Sequence, residues 1–291
     1  MTCTNPVLIA PKGLPKRFGP KLEFGMYVPC GKCISCRIAR TREWTTRILH
    51  ESSMYEDNCF VTLTYNDENL PENGSLSKRA LQLFIKRLRF ELGDRRIKYY
   101  ACGEYGDSTN RPHYHMCILN WNPFTDKSSN SNSKKTGNYK SSDKVSMLWP
   151  YGFNVIGSLT ADSIRYVAQY VQKKYTGKLA EETYGDKEPP FQLCSLGMGK
   201  EYCLKNQDYF REKLGCTIHG KEVGLPRYYK KILEIPTEVL LEKSLEHEKK
   251  LLDHYHATDI YDGKLQIGLK KARAQADANI KAKINLKKRK L

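Results

Sequence analysis

Short apolar runs and longer periodic stretches alternate along the first two thirds of this chain. Cys59-Phe60-Val61-Thr62-Leu63-Thr64-Tyr65 is β-branched and aromatic, which predicts a strand closed by the turn cluster Asn66–Asn69. Asn73-Gly74 is a second turn signal, and Ser77 then stands where an N-cap belongs. The helix it opens, Lys78–Leu92, carries a core face of Leu81, Phe84, Ile85 and Leu88 and ends at Gly93. Ile97–Tyr105 reads as the next strand, residues 107–110 as a turn, and Arg111–His115 as the head of a strand continued by the apolar run Met116-Cys117-Ile118-Leu119. Strand, turn and strand in this order predict an antiparallel hairpin. A further strand is expected over Phe153–Leu159. A helix capped by Thr160 or Asp162 follows over Ser163–Lys174, with Ile164, Val167, Ala168 and Val171 in one arc. Residues 36–54 and Thr237–Tyr255 also read as helices.

Between these elements the pattern weakens. Residues 1–29 are rich in Pro, Gly and Lys and read as an N-terminal arm that ends by pairing or packing near Met26–Val28. Residues 122–146, dominated by Ser, Asn and Lys, read as an exposed, flexible insertion, and 176–224 as a weakly ordered stretch. The expected organisation is an arm (1–29), a main domain (30–224) and a basic, largely helical extension (225–291).

Charge changes the picture more than composition does. The 291 residues carry a formal net charge of +17, so a polyanionic partner is expected. The last stretch, Lys264–Leu291, holds ten Lys or Arg against the single acid Asp277 and ends in Lys287-Lys288-Arg289-Lys290, which reads as a flexible arm with affinity for phosphate. No apolar run approaches the roughly 20 residues of a membrane span, and Met1–Pro6 shows no secretory pattern. Membrane binding is therefore not expected. Ten cysteines are too few for a disulfide scaffold in a chain this long, and reduced thiols in a cytoplasm are the default.

Several constellations carry candidate chemistry. In Arg111-Pro112-His113-Tyr114-His115 the two histidines are two apart on a strand, so both imidazoles face one way. Alone, such a pair is as readily two surface histidines on a sheet edge. The hairpin, however, brings Glu104 beside His113 and His115, and one carboxylate with two imidazoles suits a divalent cation. Cys30-Gly31-Lys32-Cys33-Ile34-Ser35-Cys36 has C-x-x-C-x-x-C spacing, which places three thiols around a structural zinc; Cys3 or Cys59 could supply a fourth. The competing reading is a turn with free thiols. Tyr166 and Tyr170, four apart, stack on one helical face about 130° from the centre of the apolar arc. They read as two exposed phenols beside Lys173 and Lys174: a nucleophile pair, or a platform for stacking bases. Leu225-Pro226-Arg227-Tyr228-Tyr229-Lys230-Lys231 mixes cations with aromatics in a way that suits a nucleic-acid backbone, and Arg37, Arg40, Arg42, Arg47 and Arg111 are further phosphate contacts. Gly197-Met198-Gly199-Lys200 lacks the full phosphate-loop pattern.

The strand Phe60–Tyr65, then His113-Tyr114-His115, then Tyr166-Val167-Ala168-Gln169-Tyr170-Val171 occur in the order that resembles the HUH-superfamily rolling-circle replication initiators. Within that superfamily the chain is similar to the initiators of microviruses, the gokushovirus-like single-stranded DNA phages, over about residues 26–231. The resemblance implies an α/β (α+β) fold with a central antiparallel sheet flanked by helices, the 30–224 domain being the endonuclease-like part. It implies an enzyme that nicks one strand of origin DNA and becomes joined to the 5′ phosphate through tyrosine. His113 and His115 would hold Mg²⁺ or Mn²⁺ with Glu104 as third ligand, Tyr166 and Tyr170 would be the nucleophiles, and Lys173 would help ionise them. Single-stranded and origin DNA, a host helicase and a host polymerase would be the partners, in the cytoplasm of a host bacterium. The rivals are a non-enzymatic basic protein that binds or packages single-stranded DNA, and a relaxase or transposase of the same superfamily.

Overall fold

The computed structural model describes residues 3–9, 26–106, 109–125, 133–136, 139–170, 178–218, 220–254 and 265–288. In chain order its elements are β1 (Val7–Ile9), β2 (Met26–Val28), α1 (Ile34–Ser52), β3 (Asn58–Tyr65), α2 (Lys78–Glu91), β4 (Lys98–Tyr105), β5 (Pro112–Leu119), β6 (Ser133–Thr136), β7 (Tyr139–Ser142), α3 (Asp143–Leu148), β8 (Gly152–Ser158), α4 (Ala161–Gln169), α5 (Lys178–Tyr184), β9 (Phe191–Cys194), α6 (Lys200–Lys205), α7 (Gln207–Lys213), β10 (Gly215–Ile218), β11 (Lys221–Gly224), α8 (Arg227–Ile232), α9 (Thr237–His254) and α10 (Leu265–Lys288). They form two compact units, one of Thr41–Leu233 and one that joins residues 1–40 to 234–291.

The larger unit is built on a seven-stranded sheet in the order β6-β7-β8-β3-β5-β4-β9, antiparallel at every pairing, with helices on both faces, as the expected fold class requires. Strand alternation sorts its side chains into two cores. On one face Val61, Leu63, Ala101, Tyr114, Met116 and Ile118 pack with Leu81, Phe84, Ile85 and Leu88 of α2 and with Val145, Leu148 and Trp149 around α3. On the other, Tyr100, Cys102, Cys117 and Leu119 pack with Ile48 of α1 and Ile164, Val167 and Ala168 of α4. Local chemistry places both key helices. The Ser77 side chain accepts from the Ala80 N–H at the start of α2. Thr160 and Ser163 form a reciprocal capping box at the start of α4, settling the choice between Thr160 and Asp162 as its cap.

The structure differs from the expected insertion over 122–146. Its described second half contains β6, β7 and α3, with Val145 fully buried. The polar composition is misleading because the polar atoms serve each other: Asn154 Oδ1 accepts from the Ser142 N–H (2.9 Å), and Asn154 Nδ2 donates to Ser146 Oγ (2.8 Å). Residues 178–224, expected to be weakly ordered, hold α5, α6, α7, the β10–β11 hairpin and the edge strand β9. Gly199 in that stretch adopts φ +78°, donates its N–H to the buried Glu51 carboxylate, and leaves no room for a Cβ against the Tyr229 hydroxyl.

In the smaller unit β1 pairs antiparallel with β2, register Val7↔Val28, as the expected pairing near Met26–Val28 requires. The basic tail is helical through Lys288 rather than a free arm from Lys287 onward; Arg289 and Lys290 lie outside the described residues. Thr4 Oγ1 donates to Asp277 Oδ1 of α10 at 3.1 Å. Among the described residues no helix is long and apolar enough to cross a membrane.

Candidate active site

Three central strands build the site by register. His115 stands opposite Thr62 of β3 and Cys102 of β4, and His113 opposite Thr64 and Glu104. All lie on the face that α4 covers. His113 Nε2 is 3.0 Å and His115 Nε2 is 3.1 Å from the same atom, Glu104 Oε1. Glu104 is 4% exposed, and its Oε2 is buried without a well-formed hydrogen bond. Burial works against the carboxylate charge, but hydrogen bonds from His113 and then His115 outweigh it, so the carboxyl titrates below its ordinary value.

The donor count at this cluster points to a cation. His113 Nδ1 lies 3.0 Å from the Arg111 carbonyl oxygen, which can only accept, so Nδ1 carries a proton. Its Nε2 faces a carboxylate, which also only accepts. A neutral imidazole has one N–H and cannot serve both. Either the ring is cationic, or a positive ion stands between Nε2 and Glu104. His115 is oriented in the same manner, with Nδ1 2.9 Å from Thr62 Oγ1 and Nε2 toward Glu104. A second nitrogen tied to a fixed oxygen is the usual support of a metal-binding histidine. The three ligand atoms lie within 4.8 Å of one another. The residues present therefore fit a divalent ion.

Helix α4 lays both candidate tyrosines on this cluster. Tyr170 stacks on His115, centroids 5.4 Å apart and planes 14° apart, and Tyr166 meets the same ring edge-on at 5.1 Å. The two phenols are perpendicular to each other at 4.9 Å, and Phe60 packs on both His115 and Tyr166. The expectation of two exposed phenols is corrected for one of them: Tyr166 is 39% exposed, but Tyr170 only 6%. Tyr170 caps the helix end with φ −64° and folds down onto the sheet. Burial first, then the Tyr166 hydroxyl and the Glu104 charge, push its phenol far above the ordinary value. Lys173 and Lys174 lie outside the described residues.

A cleft of about 690 Å³ opens beside His113, lined by Thr64–Glu68, Thr109, Arg111, Pro112, His113 and the exposed ring of Phe153. Arg111 is held in it by Asp67 Oδ1 at 2.6 Å and the Tyr65 carbonyl at 3.0 Å. The other proposed phosphate contacts are distributed differently. Arg227, Lys230 and Lys231 sit on α8, which is anchored by Tyr229. That ring is fully buried, hydrogen-bonded to His50 Nδ1 at 3.1 Å, so it cannot stack on a base as the segment's aromatic pattern suggested. Arg47 is likewise structural: it lies between the Trp44 and Tyr228 rings and donates to the Met198 carbonyl. Of the two candidates for a fourth cysteine ligand, Cys59 is excluded because it is sealed in the sheet core, whereas Cys3 lies beside Cys30, Cys33 and Cys36.

Thr62 and Phe60 were not singled out from the sequence. The signal was present, since residues 60, 62 and 64 share one face of a predicted strand. What could not be read was that this face pairs with the histidines.

A family model for the replication-associated protein ORF2 matches residues 58–175. The chain is 36% identical over 212 residues to replication-associated protein VP4 of Bdellovibrio phage phiMH2K, covering 69% of this chain and 65% of that protein, just under two thirds of its length. It is 36% identical over 221 residues to replication-associated protein ORF2 of Spiroplasma virus 4, covering 71% and 68% of the two chains. It is 29% identical over 221 residues to replication-associated protein ORF4 of Chlamydia phage 1, covering 72% of this chain and 54% of that one. No solved structure matches it.

Proposed function

The chain belongs to the replication-associated protein ORF2 family, and from that premise we propose that it initiates rolling-circle replication of single-stranded phage DNA. In this reading it is a nickase and strand transferase that becomes joined to the 5′ phosphate through tyrosine. The observation that carries the reading is the contact of Tyr166 and Tyr170 with His115, itself one of three ligands crowded around one buried carboxylate oxygen.

Glu104, His113 and His115 would hold Mg²⁺ or Mn²⁺, and two imidazoles in three ligands favour manganese. The bound ion would supply Lewis-acid neutralisation of the scissile phosphate. The chain does the rest. The Arg111 carbonyl and Thr62 hydroxyl fix both imidazoles with Nε2 facing inward. Arg111, pinned by Asp67, would hold the DNA backbone in the cleft, and Phe153 would stack on a base. Tyr166, the exposed phenol, is the first nucleophile. Its oxygen forms a bond to phosphorus while the bond from phosphorus to the 3′ oxygen breaks; the phenol loses a proton and the departing 3′ oxygen gains one. Lys173 and Lys174, three and four residues past Tyr170, are the candidates to lower the cost of that ionisation. Tyr170, buried and protonated, is held for the second cut, after which the freed 3′ hydroxyl attacks the first phosphotyrosine and closes a circle. Arg227, Lys230, Lys231 and the basic face of α10 would supply sequence-independent affinity. With no helicase phosphate loop in the sequence, host proteins would unwind and extend the DNA, in the cytoplasm of the infected bacterium.

The test is incubation with Mn²⁺ and single-stranded oligonucleotides tiling the genome that encodes the chain, followed by a denaturing gel. A covalent protein–DNA band is expected at one tile and is absent from the Tyr166→Phe, Tyr170→Phe double variant. A DNA-coating role predicts salt-sensitive binding with no such band. Adducts at wild-type yield from the double variant would overturn the assignment.

A further inference from the structure

Four cysteines converge in the smaller unit where the C-x-x-C-x-x-C spacing supplies three. Cys3 lies just before β1, Cys30 and Cys33 in the turn between β2 and α1, and Cys36 in the first turn of α1. Their four Sγ atoms all lie within 4.8 Å of one another, with Cys3 at 3.6 Å from Cys30 and 3.7 Å from Cys33. A disulfide requires about 2.05 Å, so these sulfurs are not bonded. Four thiolates about 2.3 Å from one tetrahedral ion stand about 3.8 Å apart, close to the two spacings observed. An iron–sulfur cluster needs wider spacing, because several irons and sulfides fill the space between the thiolates.

The backbone is arranged to support sulfur charge. The Cys30 N–H donates to Cys3 Sγ, and the Cys33 N–H to Cys30 Sγ, each at 3.3 Å. Gly31 turns the chain at φ +72° between Cys30 and Cys33, a conformation a side chain would strain. Cys3 is buried and the other three are half-buried. Among the described residues the other six cysteines belong to no such group.

We propose that Cys3, Cys30, Cys33 and Cys36 form a tetrathiolate zinc site. Four protein ligands fill a tetrahedron and leave no open position, so the role is structural rather than catalytic. The ion would close a loop across the 27 positions separating Cys3 from Cys30 and fasten the β1–β2 pair to the start of α1. Thr4, next to Cys3, holds Asp277 of α10, so the same ion would fix the segment on which that basic helix rests.

The test uses the full chain, purified under reducing conditions and dialysed, for elemental analysis. The His113→Ala, His115→Ala double variant removes the other candidate metal site. Both proteins should hold about one zinc per chain. Replacement by cobalt should give the thiolate-to-cobalt charge-transfer bands and the intense visible bands of tetrahedral coordination. Cys3→Ser should lose that four-thiolate signature, whereas Cys194→Ser in β9 should keep it. Zinc far below stoichiometric, stoichiometric iron in its place, a disulfide among the four in non-reducing mass spectrometry, or an unchanged cobalt spectrum in Cys3→Ser would each overturn the proposal. If Cys3→Ser does not fold, the number of thiolates read from the wild-type cobalt spectrum decides alone.

Discussion

Replacing Glu104 with glutamine separates the metal-holding role of this side chain from its place in the fold. The carboxylate is 4% exposed, with Oε1 at 3.0 and 3.1 Å from the two imidazoles. Glutamine has the same shape, and its amide can donate to an imidazole lone pair. A neutral hydrogen bond thus replaces a charged one, at a cost to stability of about 1–2 kcal/mol. A divalent ion, by contrast, loses a full negative charge from its surroundings. Two unit charges 4 Å apart interact by about 4 kcal/mol at an effective dielectric near 20. A divalent ion doubles that figure, and desolvation of the carboxylate offsets roughly half, leaving about 4 kcal/mol. This corresponds to about a thousandfold in affinity. The Glu104 carboxyl titrates below its ordinary value, so at pH 7 it is fully ionised and protonation does not blur the comparison. The assay is the Mn²⁺ concentration giving half-maximal covalent adduct, with free Mn²⁺ followed by electron paramagnetic resonance. Glu104→Gln should move that midpoint by about three decades while its urea-unfolding curve moves little. A midpoint within about threefold of wild type, with adduct still formed, would remove Glu104 from the ligand set.

Three further outcomes are expected. Tyr166→Phe should abolish the first covalent adduct, while Tyr170→Phe should form it and fail to release a closed circle; the reverse pattern on a gel would exchange their roles. Burial holds the His50 imidazole down to about 4 from 6.5. Between those values the unfolded chain binds a proton that the folded protein does not, so stability falls as pH falls, by up to about 1.4 kcal/mol per pH unit. His50→Phe should flatten that slope in urea titrations at pH 7 and pH 5, and an unaltered slope would assign it to another group. Lys98→Met strands the fully buried Glu51 carboxylate, whose ion pair is 2.7 Å long, and should cost about 3–5 kcal/mol in denaturant unfolding. Adding Glu51→Gln should restore most of that, and a loss under about 1 kcal/mol in the single variant would show that Tyr55 and the Gly199 N–H suffice.

What was legible in the sequence depended on how locally each feature is determined. Ser77 and the stripe Leu81, Phe84, Ile85, Leu88 define α2 within fifteen residues, and its observed cap and core face match them. The Glu104–His113–His115 grouping was legible because a hairpin brings its members together with only eight residues between Glu104 and His113. Cys3 was not separable from Cys59, because the choice depends on a pairing 27 residues apart. The stretch 178–224 failed for another reason. Its elements are four to seven residues long and each is anchored by one or two buried side chains, such as Cys203 in α6 and Phe210 in α7. No periodicity can emerge over so few positions. The position of Tyr170 was misjudged because a helical wheel treats every turn alike. At the end of α4 a long phenol reaches past the apolar arc to the sheet, a freedom that mid-helix residues lack.

The residue between the two histidines explains why a pattern as common as His-x-His acquires a fixed geometry here. Tyr114 points to the opposite face, is fully buried, and its hydroxyl meets the Tyr65 hydroxyl at 2.9 Å, the Ser77 N–H at 2.8 Å and the Ser77 carbonyl at 3.1 Å. It thereby ties β5 to the end of β3 and to the N-cap of α2. Because side chains alternate, holding Tyr114 on the back face holds His113 and His115 on the front. A slip of one residue would carry both imidazoles into the apolar packing of α2 and turn Tyr114 toward the tyrosine helix. Along the front face of β5 the side chains run Leu119, Cys117, His115, His113, from sealed core to cleft. The ligands thus stand where the apolar packing ends, on strands whose register is fixed from behind. The position of the site follows from the core that supports it, and Tyr114 couples the two.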